Sequence, residues 1–373
     1  MVETEFDAVS QFNVMMSSGG LVSVVGLADA HTHSHLCVGG GASAIAGAFA
    51  AGVTIVVVCA TSPEDWSAVE SACAGGTGLG LGLALPSLGV HPWHVGAAGD
   101  VSVWAPQLLA RLRALRGGGG VAVRGVGVGE AGLDRSEKAL LLSPWHAQVE
   151  ALNAQIAVAA ELHAPLSLHC VRAQTHLVKL LRAAAPALPS ALLLHSWAGT
   201  PRDAAALRAL GIPCVFSFSG GLVAASKASM AGAEAAAQGL PPPPRTPGAA
   251  GKDALASLLT LPASVIAFET DSPDQGWEGE GSHPHPQSQT QTLPPDPNAS
   301  TAAGGTCCLP PTGSGRERLR NNLPAMLFHV IRAAARLRLG PAASDAAVAA
   351  AAAELGQSSA SAVARIFLSN SRF

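Results

Sequence analysis

Tyrosine is absent from the 373 residues, aromatic residues make up only 4% and charged residues only 13%. Compositional drift toward small residues, visible in 41 glycines, accounts for the missing tyrosine without a functional meaning. With 22 Lys and Arg against 25 Asp and Glu, the formal net charge is −3. No global field therefore attracts nucleic acid, and any phosphate binding must be local or metal-mediated. The seven cysteines (Cys37, Cys59, Cys73, Cys170, Cys214, Cys307 and Cys308) lack any Cys-x-x-Cys spacing. Scattered and odd in number, they argue against a disulfide framework or a structural zinc site and suit a reducing compartment. Apolar runs are broken by Gly, Pro, Asp or His well short of a membrane span. The first residues carry Glu3, Glu5 and Asp7 and no base, unlike a signal or transit peptide. A soluble cytoplasmic protein with no membrane partner is expected.

What the chain does have is apolar residues, 49% of the total, enough for one large core or two ordinary ones. They fall into a repeating pattern. An apolar run from Leu21 to Leu27 leads into Asp29-Ala30-His31-Thr32-His33-Ser34-His35. Val53–Cys59 is apolar at nearly every position, as in a sheet covered on both faces. Strands are expected around Leu81–Gly89, Val121–Val128, Pro165–Leu168, Ala191–Leu194, Cys214–Phe218 and Val265–Phe268, with helical stretches between them. Strand–helix alternation through roughly eight units is the signature of parallel α/β architecture. An open doubly wound sheet is one solution. Polar residues recur at the carboxyl ends of most of these strands, however, and in a (β/α)8 barrel all such ends converge on one face. The barrel accounts for the pattern better.

The expected organisation is a disordered N-terminus over residues 1–20 and a single barrel over 21–373. Two low-complexity insertions, 231–251 and 275–315, read as disordered surface loops. The tail from Asn322 is helical, with Leu323, Met326, Leu327, Val330 and Ile331 on one stripe that packs outside the barrel. His283 and His285 form a second His-x-His, but they sit among prolines with no strand to hold the rings.

The strand-end residues are His31, His33, Glu130, His169, His195 and Asp271. Each has a bland explanation: Glu130 pairing with Arg124, Asp271 capping the next segment, or histidines satisfied within the core. Together they supply four imidazoles and two carboxylates, enough for two divalent ions bridged by a carboxylate. The mixed nitrogen and oxygen set suits Zn, Mn, Fe or Co better than a site for Mg alone.

Six motifs occur in order along the chain: Asp29-x-His-x-His33, Gly89-Val-His-Pro-Trp93, Gly129-Glu-Ala-Gly-Leu-Asp134, Leu168-His-Cys170, Leu194-His-Ser196 and Glu269-Thr-Asp-Ser-Pro273. With Asn322-Leu-Pro324 and Ala364-Arg-Ile-Phe367 in the tail, the chain resembles the TatD family of metal-dependent deoxyribonucleases over nearly its whole length. The segments Val215–Gly220 and His169–Ala173 look closest to that family's plant and algal branch. The resemblance implies an amidohydrolase-like barrel in which His31 and His33 bind one ion and Glu130 bridges. His169 and His195 serve the second ion, and Asp271 ligates and takes the nucleophile's proton. It also implies that His91 lies near a substrate phosphate. The ions would be Mg, Mn, Zn or Co, and the substrate DNA, single-stranded or bound at an end, cut as by an exonuclease. The sequence departs from the family pattern at Val171, where Arg is common, with Arg172 following instead. The alternatives are hydrolysis of another ester, a phosphotriester or a cyclic amide, or a barrel kept as an interaction module.

Overall fold

The computed structural model of the chain describes residues 26–77, 81–117, 125–222, 249–273 and 327–368, with five isolated positions between 230 and 238. Its eight strands are β1 (Leu27–Thr32), β2 (Val53–Cys59), β3 (Leu83–Leu88), β4 (Gly127–Asp134), β5 (Pro165–Val171), β6 (Ala191–Leu194), β7 (Cys214–Phe218) and β8 (Ile266–Phe268). Each pairs in parallel with the next in chain order. At the carboxyl rim the last strand meets the first, where Asp271 N–H donates to the His31 carbonyl at 3.0 Å and His33 N–H to that of Ser272 at 2.7 Å. The architecture is a (β/α)8 barrel.

The helices are α1 (Gly41–Ala50), α2 (Trp66–Thr77), α3 (Val95–Ala98), α4 (Val101–Gly117), α5 (Glu137–Leu142), α6 (Trp145–Glu161), α7 (Gln174–Ala184), α8 (Pro201–Arg208), α9 (Ala249–Thr260), α10 (Leu327–Leu339) and α11 (Asp345–Leu368). Local chemistry starts some of them. In α8 the Thr200 side chain accepts from Asp203 N–H, the Asp203 carboxylate accepts from Thr200 N–H, and Pro201 opens the first turn. In α5 the Ser136 side chain accepts from Ala139 N–H. No helix among the described residues is long and apolar enough to cross a membrane.

Strand residues split between two cores. Val56, Val58, Val128, Ala131, Leu166, Leu192 and Phe216 face the surrounding helices, whereas Ile55, Val57, Leu85, Leu193, Val215 and Ala267 fill the barrel. The expectation that the tail packs only outside needs correction. Helix α10 does so, burying Leu327, Val330 and Ile331 in the outer core. The end of α11 instead closes the barrel floor, with Val363, Phe367 and Leu368 joining the inner cluster. The Phe367 ring lies where a side chain on Gly127 would need to be, 2.7 Å from an ideal Cβ. Ser359 of the same helix accepts a hydrogen bond from Phe268 N–H at 3.1 Å. The small residues of β1, Ala28 and Ala30, leave the barrel interior for this helix to fill.

Two strand boundaries also shift. β4 runs from Gly127 to Asp134 rather than ending at Val128, and β5 extends past Leu168 to Val171. Glycines make this possible. Gly129 (φ 131°) and Gly132 (φ 152°) lie so close to β5 that a Cβ on the first would sit 2.5 Å from the Ser167 carbonyl oxygen, and one on the second would collide with that of His169. The insertion expected at 231–251 ends in helix, since α9 begins at Ala249. Residues 1–20, the insertion 275–315, Arg124, His283, His285, Leu323 and Met326 lie outside the described residues.

A candidate metal centre at the carboxyl rim

Two of the strands that bring these side chains inward, β1 and β4, carry an extra residue. On β1, Asp29 pairs with Val56 and Thr32 with Val58, three residues against two. On β4, Val128 pairs with Leu166 and Ala131 with Leu168, again three against two. Such bulges change which face the following side chains occupy. The second explains why Val128 and Ala131, three apart, both face the outer core while Glu130 enters the barrel. Glu130 N–H is held by the Ala60 carbonyl at 3.0 Å.

Glu130 stands at the middle of the cluster and is 2% exposed, with imidazoles as its ion-pair partners among the described residues. Its two oxygens serve two groups. Oε2 lies 3.3 Å from His31 Nε2 and 3.2 Å from His33 Nε2. Oε1 lies 2.9 Å from His195 Nε2, 3.0 Å from His169 Nδ1 and 3.4 Å from His91 Nε2. Asp271 sets Oδ1 3.5 Å from His33 Nε2 and 3.9 Å from His31 Nε2. All six strand-end residues named from the sequence are thus brought together, and His91 with them.

The ring nitrogens turned away from the centre decide what faces it. His33 Nδ1 donates to the Cys59 carbonyl at 2.8 Å, and His195 Nδ1 to Glu269 Oε1 at 3.1 Å. His169 Nε2 donates to Asp134 Oδ2 at 3.2 Å. Those partners only accept, so a neutral ring must present a lone pair inward in each case. His31 Nδ1 has the Ser167 hydroxyl at 3.1 Å. His91 is reversed. Its Nδ1 accepts from Trp93 N–H at 3.1 Å, so Nε2 carries the hydrogen and faces Glu130 as a donor.

This donor set fits metal ions. Two nitrogens each about 2.0–2.1 Å from one ion lie about 2.9–3.4 Å apart for octahedral to tetrahedral angles. His31 and His33 hold their Nε2 atoms 3.4 Å apart, and His169 Nδ1 lies 3.2 Å from His195 Nε2. Three overlapping triads have suitable separations: His31, His33 and Glu130; His31, His195 and Asp271; and His91, Glu130 and His169. In the metal-free chain the carboxylates favour a proton on some of these rings and burial opposes it on others. Burial pulls the His33 pKa down, but Glu130 and Asp271 overcome it and lift the value to about 9. Burial likewise opposes charge on His195, yet Glu130 and Glu269 hold it well above the ordinary range. Glu130 is kept well below its usual range despite burial, by His91, His195 and His31 around it. For His91 burial wins, and its pKa falls well below the ordinary value.

The supporting residues had no assigned role in the sequence. Asp134, Trp93 and Glu269 lie in the motifs but act behind the centre. Trp93 Nε1 donates to Asp134 Oδ2 at 2.6 Å, and Ser196 N–H to Glu269 Oε1 at 2.7 Å. Asp29 does not point into the cluster; it ties β1 to the chain beyond β8 by accepting from Thr270 Oγ1 at 2.6 Å and Thr270 N–H at 3.0 Å. His35, third in the histidine stretch, turns aside to Asp65 at 3.1 Å. The signal available for Glu269 was its place in the Glu269-Thr-Asp-Ser-Pro273 motif, just past the end of β8.

Among curated proteins, the 3′-5′ ssDNA/RNA exonuclease TatD of Cronobacter sakazakii is 36% identical over 168 residues, 45% of this chain and 57% of that protein. The protein of the same name from Pantoea vagans is 34% identical over 131 residues, 35% of this chain and 45% of that one. The chain spans about half the length of the curated relatives it matches. Among solved structures, the TatD homologue YJJV of Escherichia coli K12 superposes with a TM-score of 0.60 at 20% identity, covering 91% of this chain and 97% of that one. A hydrolase TatD family protein of Entamoeba histolytica gives 0.59 at 12% identity, covering 92% and 98%. These two share the fold. Residues 28–372 match the model of the TatD-related DNases, and the chain belongs to that family.

Proposed function

We propose that the chain is a metal-dependent nuclease that hydrolyses phosphodiester bonds of single-stranded DNA from an end. The observation that carries this is the division of Glu130, with Oε2 facing His31 and His33 and Oε1 facing His169 and His195. His31, His33 and Asp271 with Oε2 would hold one ion, and His169 and His195 with Oε1 a second. When bound, two such ions supply a nucleophile from water at neutral pH and neutralise charge on the phosphoryl oxygens. Mg, Mn, Zn or Co would satisfy this set of nitrogens and carboxylates.

The chain's own groups do the rest. Asp271 would accept, on its carboxylate, the proton released from the attacking water. Its backbone is locked by the hydrogen bond from Asp271 N–H to the His31 carbonyl, so its carboxylate stays at the rim. His91 Nε2–H is a donor aimed into the centre, suited to an oxygen of the scissile phosphate. The walls around Glu130 are buried, which keeps bulk water away and strengthens each charge interaction. Curated relatives named as 3′-5′ exonucleases on ssDNA and RNA support both the single-stranded substrate and the end preference. Cys59, Cys73, Cys170 and Cys214 are buried thiols outside any disulfide, which supports a reducing, cytoplasmic setting.

The test is to strip the chain with a chelator and assay a labelled single-stranded oligonucleotide before and after adding back Mg, Mn, Zn or Co. Hydrolysis should vanish and return to differing degrees. Full activity in excess chelator, with no metal by elemental analysis, would sink the proposal.

A further inference from the structure

We propose that a basic cleft beside the metal centre, formed by Arg135 and Arg172, holds a backbone phosphate of the nucleic-acid strand next to the one being cut. The inference rests on the nuclease reading above. The cleft measures about 380 Å³ and is lined by these two arginines, Gln174 and Thr175 from the start of α7, and Asp203. That volume lies within the about 300–1,000 Å³ typical of ligand pockets. Its position follows from the two loops that leave β4 and β5. Arg135 follows Asp134, whose carboxylate holds His169 at 3.2 Å, and Arg135 N–H donates to the Val171 carbonyl at 2.9 Å. Arg172 stands three residues beyond His169, a reach of at most about 10 Å along the chain. It adopts a left-handed backbone (φ 54°), rare for a residue with a side chain and recurrent where function fixes geometry.

The two positive charges in this cleft are only partly offset from within, leaving it net positive. Asp203, the one carboxylate lining it, is occupied by the Thr200 cap, accepting from Thr200 Oγ1 at 2.6 Å and Thr200 N–H at 3.0 Å. Among the described residues neither guanidinium is joined to a carboxylate in an ion pair; Arg135 lies instead 4.8 Å over the Trp145 ring. Two exposed cations held in one cleft repel each other, and an anion between them relieves that repulsion. Guanidinium forks match phosphate oxygens in shape and donor spacing. The formal charge of −3 offers no general attraction for a polyanion, so strand binding away from the metal centre has to come from local cations such as this pair.

The test is binding of a phosphorothioate-linked single-stranded decamer to the metal-loaded chain, read by fluorescence anisotropy across a salt series. The R135A/R172A variant should bind about tenfold more weakly, and its log–log salt slope should flatten by about 0.7, the value for one phosphate contact on a single strand. R172K should fall between the two, since it keeps the charge and loses the fork. A phosphorothioate dinucleotide, whose one linkage occupies the metal centre, should compete equally well for wild type and variant. Metal content and melting temperature confirm that the variants are folded. Unchanged decamer affinity and salt slope in R135A/R172A would overturn the proposal, as would equal losses for decamer and dinucleotide or a wild type that does not bind the decamer. Hydrolysis of an ordinary oligonucleotide is measured separately. A wild type that binds through the cleft without cutting removes the nuclease reading and leaves the cleft, whereas one that cuts with binding unaffected by R135A/R172A does the reverse.

Discussion

Replacing Glu130 by Gln keeps the side chain's shape and removes the one formal charge that both halves of the centre share. Its two oxygens lie 2.9–3.3 Å from four ring nitrogens of four histidines. Two dications about 4 Å apart repel by about 17 kcal/mol at an effective dielectric of 20. A bridging carboxylate offsets much of that; a neutral amide does not. If only a tenth of the repulsion survives the other ligands, about 1.7 kcal/mol, the second ion's affinity falls more than tenfold. Glu130→Gln should therefore purify with at least one ion fewer per chain and lose most of its activity while keeping its circular dichroism spectrum. The assay is metal stoichiometry by elemental analysis beside the rate of single-stranded DNA hydrolysis. Wild-type metal content and rate in the variant would refute the bridging role and leave a one-ion site as the simplest account.

Other expectations follow from the groups around Glu130. In the metal-free chain His33, lifted to about 9, is protonated at pH 8, so metal uptake there should release protons and tighten as pH rises toward 9. Calorimetry in buffers of different ionisation enthalpy reads this directly, and a buffer-independent heat would contradict it. Glu269→Ala removes the acceptor of His195 Nδ1–H and should weaken metal binding about tenfold to a hundredfold in a competitive chelator titration. His91→Phe keeps a ring but loses the inward N–H, a hydrogen bond to a charged group worth about 1.5–3 kcal/mol. It should lower kcat about tenfold to a hundredfold with metal content unchanged, whereas lost metal would make His91 a ligand. Phe367→Ala empties the barrel floor and should lower stability by about 3–5 kcal/mol in urea unfolding. A loss under about 1 kcal/mol would mean that the α11 end is not packed there.

The supports around the centre give it a consistent electrical logic. Carboxylates or carbonyls behind His33, His169 and His195 pin each ring so that a lone pair faces the ion positions. His91 is pinned the other way, by a backbone N–H, and so faces the same carboxylate as a donor. A histidine's role at this rim is therefore decided by what stands behind it, which no spacing in the chain encodes.

Taken alone, the sequence determined the strand–helix alternation and the identity of the converging side chains. Val53–Cys59, Ala191–Leu194 and Cys214–Phe218 stand in the structure with the boundaries their apolar runs mark. The reason is local: a strand covered on both faces needs apolar residues throughout, and Gly, Pro and polar residues end it. The list of six ligand candidates was legible for a related reason, since a parallel barrel sends every strand's carboxyl end to one face. Tertiary structure decided everything that depends on register. The extra residues at His31 and Glu130 exist only relative to β2 and β5, and glycine-rich β4 reads as a loop until its close neighbour is known. Arg135 and Arg172, 37 positions apart, become one cleft only through the hydrogen bond between their loops. The helix that closes the floor looks like any amphipathic tail until the small side chains of β1 leave the space it fills. Pairing and packing join residues far apart in the chain, and those contacts leave no periodicity in the sequence to read.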